Sequence, residues 1–164
     1  MAGKGFKLMN YTSDVKPSKT IGELETLLVS AGARNISKDY DAAGNVTAFF
    51  FAIPTQRGAI SFRLPCNIDA VYGFLVNQRK HFQSGTRAKI REQSERVAWR
   101  ILLDWVDAQL SMIMAQQVKP EQAFFAYIIN PNTGQTLFEH MEQQNFLMLS
   151  DGSPVEDGHF TEVA

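Results

Sequence analysis

The feature that most constrains the fold is a long helical pattern in the second half of the 164-residue chain. Apolar residues recur at helical spacing over about residues 87–117, and Pro120 either ends this segment or begins the next one. A helix of this length serves as a spine on which shorter elements pack. Its predicted buried stripe comprises Ile90, Val97, Ile101, Trp105, Ala108 and Met112.

Upstream of the spine, the sequence predicts a helix followed by strands. Thr20 and Glu23 match a capping box, and Gly32 follows the last apolar residue of a helix predicted over 20–31. Segments 34–40, 46–53 and 59–64 read as three antiparallel strands. The middle strand is apolar on both faces, which favours a central position in the sheet.

Downstream of the sheet, polar caps and turns divide the chain into further helices. Asn67 is placed to cap a short helix that precedes the spine. Short helices are predicted over 121–129 and about 136–147, while the residues before 20 read as an irregular or strand-like lead-in.

These elements predict an α+β fold. Its order is an N-terminal helix, a three-stranded antiparallel meander, a short helix, the long spine helix and two short C-terminal helices. We expect one domain over residues 1–149 and a disordered acidic tail over 150–164.

The formal net charge of −1 conceals a division of charge along the chain. Residues 1–100 carry 15 basic and 8 acidic side chains, whereas residues 101–164 carry 1 basic and 9 acidic ones. The positive excess is greatest over 79–100, at and before the start of the spine helix, where the helix dipole disfavours cations. Converging arginines at a helix N-terminus could instead bind an anion. The candidate phosphate-binding residues are Arg79, Lys80, Arg87, Lys89, Arg91, Arg96 and Arg100.

On a helical wheel, these cations form two stripes that could flank a groove. Lys89, Arg96 and Arg100 share one stripe, and Arg87 and Arg91 share the other. The alternative is an ordinary solvated surface, since Glu92–Arg96 and Arg91–Glu95 are i,i+4 pairs. Aromatic side chains near the cations could stack on bases, and the candidates are Tyr72, Phe82 and Trp99. Phe49 and Phe51 would form a binding surface if their face of the sheet were uncovered.

Catalytic signatures are missing from the sequence, so we predict no catalytic residue, metal or cofactor. The lone Cys66 has no recognisable nucleophile elbow and reads as a buried or half-buried residue. Asp104 and Asp107 are an i,i+3 pair that could hold a metal only with a third carboxylate. The sequence also lacks a secretory signal and a membrane-spanning run, so we expect a cytoplasmic protein with no membrane partner.

Three stretches together resemble a family of small uncharacterised proteins of bacteriophages, prophages and other mobile elements. They are Thr20–Tyr40, Ile60–Val71 and Glu92–Gln109, within a similarity that covers about residues 10–130. The resemblance implies a mobile-element context and a location in a host bacterial cell. It carries over no activity and no catalytic residues.

The first functional hypothesis is a non-enzymatic phage or mobile-element protein that binds nucleic acid, or another phosphate-bearing ligand, through the basic residues. The alternative is a counter-defence protein that sequesters a nucleotide signal or binds a host defence protein. A small metal-dependent nuclease using Asp104 and Asp107 is a third hypothesis. The surplus apolar residues of the spine suggest a homo-oligomer unless the C-terminal helices cover them: Leu102, Leu103, Val106, Leu110 and Ile113.

Overall fold

The computed structural model describes residues 6–56, 58–78 and 85–146, and it has the α+β architecture predicted from the sequence. The elements, in chain order, are α1 (Pro17–Ser30), β1 (Arg34–Tyr40), β2 (Val46–Thr55), β3 (Gly58–Leu64), α2 (Ile68–Asn77), α3 (Thr86–Met114), α4 (Pro120–Ala123), a 3-10 turn (Phe125–Tyr127) and α5 (Leu137–Gln143). The predicted tail over 150–164 lies outside the described residues.

Helix α1 begins earlier than predicted and ends as predicted. Its N-cap is Lys16, and Pro17 occupies the first turn, where a missing amide hydrogen has no cost. The predicted Thr20–Glu23 capping box is therefore wrong: Thr20 is buried within the helix. At the other end, Gly32 has a φ of +91°. The amides of Gly32 and Ala33 donate to carbonyls of the last turn of the helix, and this pattern is a Schellman cap.

The three strands form an antiparallel sheet in the order β1-β2-β3, which confirms β2 as the central strand. Phe49 and Phe51 point into the core and are 0% and 1% exposed, so the suggestion that they form a binding surface is wrong. On the opposite face, Phe50 lies in register between Ser37 of β1 and Arg63 of β3.

Helices α1 and α2 both pack against α3, and the buried stripe of α3 changes direction along its length. Ile90 and Val97 are buried as predicted, but Ala108 and Met112 are exposed. In this part of α3 the buried positions belong instead to apolar residues that lay outside the predicted stripe. Leu102, Leu103, Val106 and Leu110 all lie in the core of the single chain, so they give no argument for an oligomer.

The C-terminal elements complete the core on the β3 side of the sheet. Phe124, between α4 and the 3-10 turn, is fully buried against the rings of Phe51, Phe62 and Trp105. The segment predicted as one helix over 121–129 is thus a short helix and a 3-10 turn. Ile128 then forms an isolated bridge with β3, and Pro120 begins α4 as predicted.

Candidate functional site

Five of the seven candidate cations lie on α3, and they do not form one surface. Arg79 and Lys80, with the stacking candidate Phe82, lie outside the described residues. At 100° per residue, Arg87 and Arg91 are on the opposite side of the helix from Lys89 and Arg96. One way round the helix, the two stripes are separated by the buried residues Ile90, Ser94 and Val97, and the other way by Glu92 and Glu95.

Arg91 pairs with carboxylates of two helices, α2 and α3. Its guanidinium pairs with Asp69 of α2, and its Nε lies 3.9 Å from Glu95 Oε1. The hydrogen bond with Asp69 is the main reason that the pKa of Arg91 lies above its ordinary value. Arg91 also lies over the ring of Tyr72, 5.8 Å from its centre, so these two candidates contact each other.

Arg100 belongs to a polar cluster that joins α3 to α1 and to the N-terminal segment. Its Nη1 lies 2.7 Å from Glu23 Oε2, and its Nε lies 3.7 Å from Asp104 Oδ1. Asn10 Nδ2 donates a hydrogen bond of 2.7 Å to the other carboxylate oxygen of Asp104, Oδ2. This arrangement gives Asp104 a structural role. In the described ranges, no group of three or more His, Cys, Asp or Glu side chains could hold a metal ion.

Lys89 and Arg96 line the same open groove of about 860 Å³, which lies between the N-terminal segment and the start of α3. Lys89 is exposed and has no ion-pair partner in the part of the chain that the structure describes, whereas Arg96 Nη2 lies 3.5 Å from Glu92 Oε2. The groove is lined by Tyr11, Thr12, Leu75, Gln78, Thr86, Lys89, Ile90, Glu92, Gln93 and Arg96.

The N-terminal wall of the groove is held in place by side chains of α3 and of the residue after α2. Gln93 Nε2 donates to the carbonyls of Tyr11 and Ser13, each over 2.8 Å. Gln78 Nε2 donates to the carbonyl of Phe6 over 2.7 Å, and the Phe6 ring meets Phe74 of α2 edge to face. An irregular segment is thereby fixed, so that its side chains keep defined positions along the groove.

The aromatic residue of this groove is one that the sequence did not indicate. Trp99 is 2% exposed, so its predicted role in stacking is wrong, and Tyr72 is on the side of Arg91. Tyr11 lines the groove, is 43% exposed and has Lys7 Nζ 5.7 Å from its ring centre. An irregular lead-in has no periodicity from which its position could be predicted.

Comparisons of the chain with protein-family models, with curated proteins and with solved structures gave no match. Among the described residues, no helix combines the length and the apolar character needed to cross a bilayer.

Proposed function

We propose that the protein is a non-enzymatic binding protein of a phage or mobile element that engages nucleic acid by its phosphates. The site is the groove between the N-terminal segment and α3. The observation that carries the proposal is that Lys89 and Arg96, two of the cations singled out by the sequence, line one open groove with a fixed wall. The sequence resemblance to small mobile-element proteins supplies only the phage or mobile-element part of this proposal.

The chemistry of the groove suits an anionic chain better than an isolated ion. Lys89 is a flexible point charge, and Arg96 offers a planar donor array to phosphate oxygens. Thr86 adds an uncharged hydrogen-bonding group along the same groove. Glu92 pairs with Arg96, so a phosphate must displace this carboxylate, and the exposed pair has little stability to lose.

The test is fluorescence anisotropy with a labelled mixed-sequence 20-nucleotide oligomer, single-stranded and as a duplex, at low ionic strength. The Lys89→Ala/Arg96→Ala variant should bind the preferred form at least about tenfold more weakly, equivalent to a loss of about 1.4 kcal/mol. Lys19→Ala/Lys119→Ala is the matched control, because it also removes two positive charges, both from exposed residues that do not line the groove.

No binding of either oligomer by the wild-type protein would refute the proposal. So would equal affinities of the double variant and the wild type. A rise in melting temperature with free nucleotides, together with no affinity for the oligomers, would favour the nucleotide-sequestering hypothesis instead.

A further inference from the structure

We infer that the groove selects single-stranded over double-stranded nucleic acid, with Tyr11 as the residue on which a base stacks. This inference rests on the proposed function and specifies the form of its ligand. It starts from the exposed aromatic ring in the same groove as Lys89 and Arg96.

The position of Tyr11 is not explained by packing. Tyr11 is 43% exposed, so packing against the protein leaves much of it open to solvent. The N-terminal segment is held through its backbone, because Gln93 donates to the carbonyl oxygen of Tyr11 and not to its side chain. The ring is therefore not needed for this attachment and is available to a ligand.

Three cations lie beside Tyr11 or in the same groove. Lys7 lies over the ring, 5.7 Å from its centre, while Lys89 and Arg96 line the same groove. A base that stacks on the ring would bring its own phosphates within reach of these side chains. Combined stacking and backbone contacts of this kind are how proteins bind single strands without reading sequence.

A duplex cannot use this arrangement, because its bases are already stacked on one another and their faces are closed to an aromatic side chain.

The test compares Tyr11→Ala with Tyr11→Phe, using the same single-stranded and duplex 20-nucleotide oligomers in anisotropy titrations. Tyr11→Ala should weaken binding of the single strand by about 5- to 150-fold, the range found when a stacking residue is removed. Tyr11→Phe keeps the ring and should stay within about twofold of the wild type. The duplex should bind more weakly than the single strand to the wild type, and neither substitution should change its affinity further. Thermal melting of both variants checks that the fold is retained.

Equal affinity of the wild type for the two oligomers would overturn the inference. A Tyr11→Ala variant that binds the single strand like the wild type would also overturn it. If the Lys89→Ala/Arg96→Ala variant is still impaired in that case, the proposed function survives and only the stacking inference fails. If Tyr11→Ala and Tyr11→Phe weaken binding equally, the ring is not the contact, and the inference fails in that form too.

Discussion

Phe124 and Phe125 are adjacent in sequence and occupy opposite environments, so they test how the C-terminal segment contributes to stability. Phe124 is 0% exposed, and Phe125 is 55% exposed. The ring of Phe124 contacts Phe51 and Phe62 of the sheet, with centroids 5.5 Å and 5.8 Å away, and Trp105 of α3 at 5.6 Å. It is thus the point at which the C-terminal segment, the sheet and the long helix meet.

We expect Phe124→Ala to lower the free energy of unfolding by roughly 3–5 kcal/mol, the usual cost of removing a fully buried phenylalanine and leaving a cavity. The three edge-to-face contacts, each worth about 0.5–1.5 kcal/mol beyond burial, favour the upper half of that range. Phe125→Ala removes a side chain that is about half buried and should cost about 1 kcal/mol.

Urea unfolding followed by circular dichroism measures both free energies directly. For a domain of this size the Phe124→Ala difference corresponds to a fall in melting temperature of roughly 6–20 °C. The reasoning is refuted if Phe124→Ala costs less than about 1.5 kcal/mol, or if the two variants are equally destabilised. Either result would mean that the C-terminal segment is only loosely attached to the core.

Two further predictions concern a helix cap and a thiol. Thr136→Ala should cost roughly 0.5–2 kcal/mol in urea unfolding, because the amide of Glu139 loses its acceptor in the capping box of α5. Thr136→Ser keeps that acceptor, and an equal loss in both variants would contradict the capping role. Burial raises the pKa of Cys66 from 9.0 to about 12, so iodoacetamide should label it far more slowly at pH 8 in the folded protein than in urea. As the pH rises from about 9 to about 12, the Cys66 thiol loses its proton in the unfolded protein first, so the free energy of unfolding should fall over this range. Equal labelling rates in the folded and unfolded states would refute this account.

The parts of the fold that the sequence predicted correctly depend on residues a few positions apart. Gly32 ends α1 because the left-handed backbone there suits a residue without a Cβ. Asn67 caps α2 by accepting from the amide of Ala70, three residues on. Alternation in β3 places Phe62 and Leu64 in the core and Ser61 on the other face. Each of these outcomes is set locally, so a local pattern is sufficient to predict it.

The capping box at Thr20 and Glu23 failed because a local pattern competed with a distant partner. Pro17 starts the helix one turn earlier, which moves Thr20 into the helix and onto its buried face. Glu23 then pairs with Arg100, which is 77 residues away in sequence. No spacing rule within α1 contains that information, because the partner is chosen by how α1 and α3 pack.

The sequence indicated some of the cations of the candidate site but not how they are arranged, because their partners are also distant in sequence. Arg91 and Arg100 each pair with a carboxylate of another helix, Asp69 of α2 and Glu23 of α1. The aromatic residue of the groove lies about 80 positions before Lys89 and Arg96. Counting charges along α3 therefore overstated the cationic surface. Two of the residues selected from the sequence line the groove, whereas the sequence could not select Tyr11.

This difference in shape changes the salt dependence that the protein should show with a single-stranded oligomer. Each phosphate contact with a single strand contributes about −0.7 to the slope of log K against log salt concentration. A patch in which all seven cations touched phosphates would give a slope near about −5. Contacts by Lys89 and Arg96 alone would give about −1.4, or about −2 if Lys7 joins them. A titration of the wild-type protein that gives a slope between about −1 and −2.5 supports the groove. A slope near −5 would mean that the ligand breaks the ion pairs of Arg91 and Arg100, and it would refute the assignment to this groove.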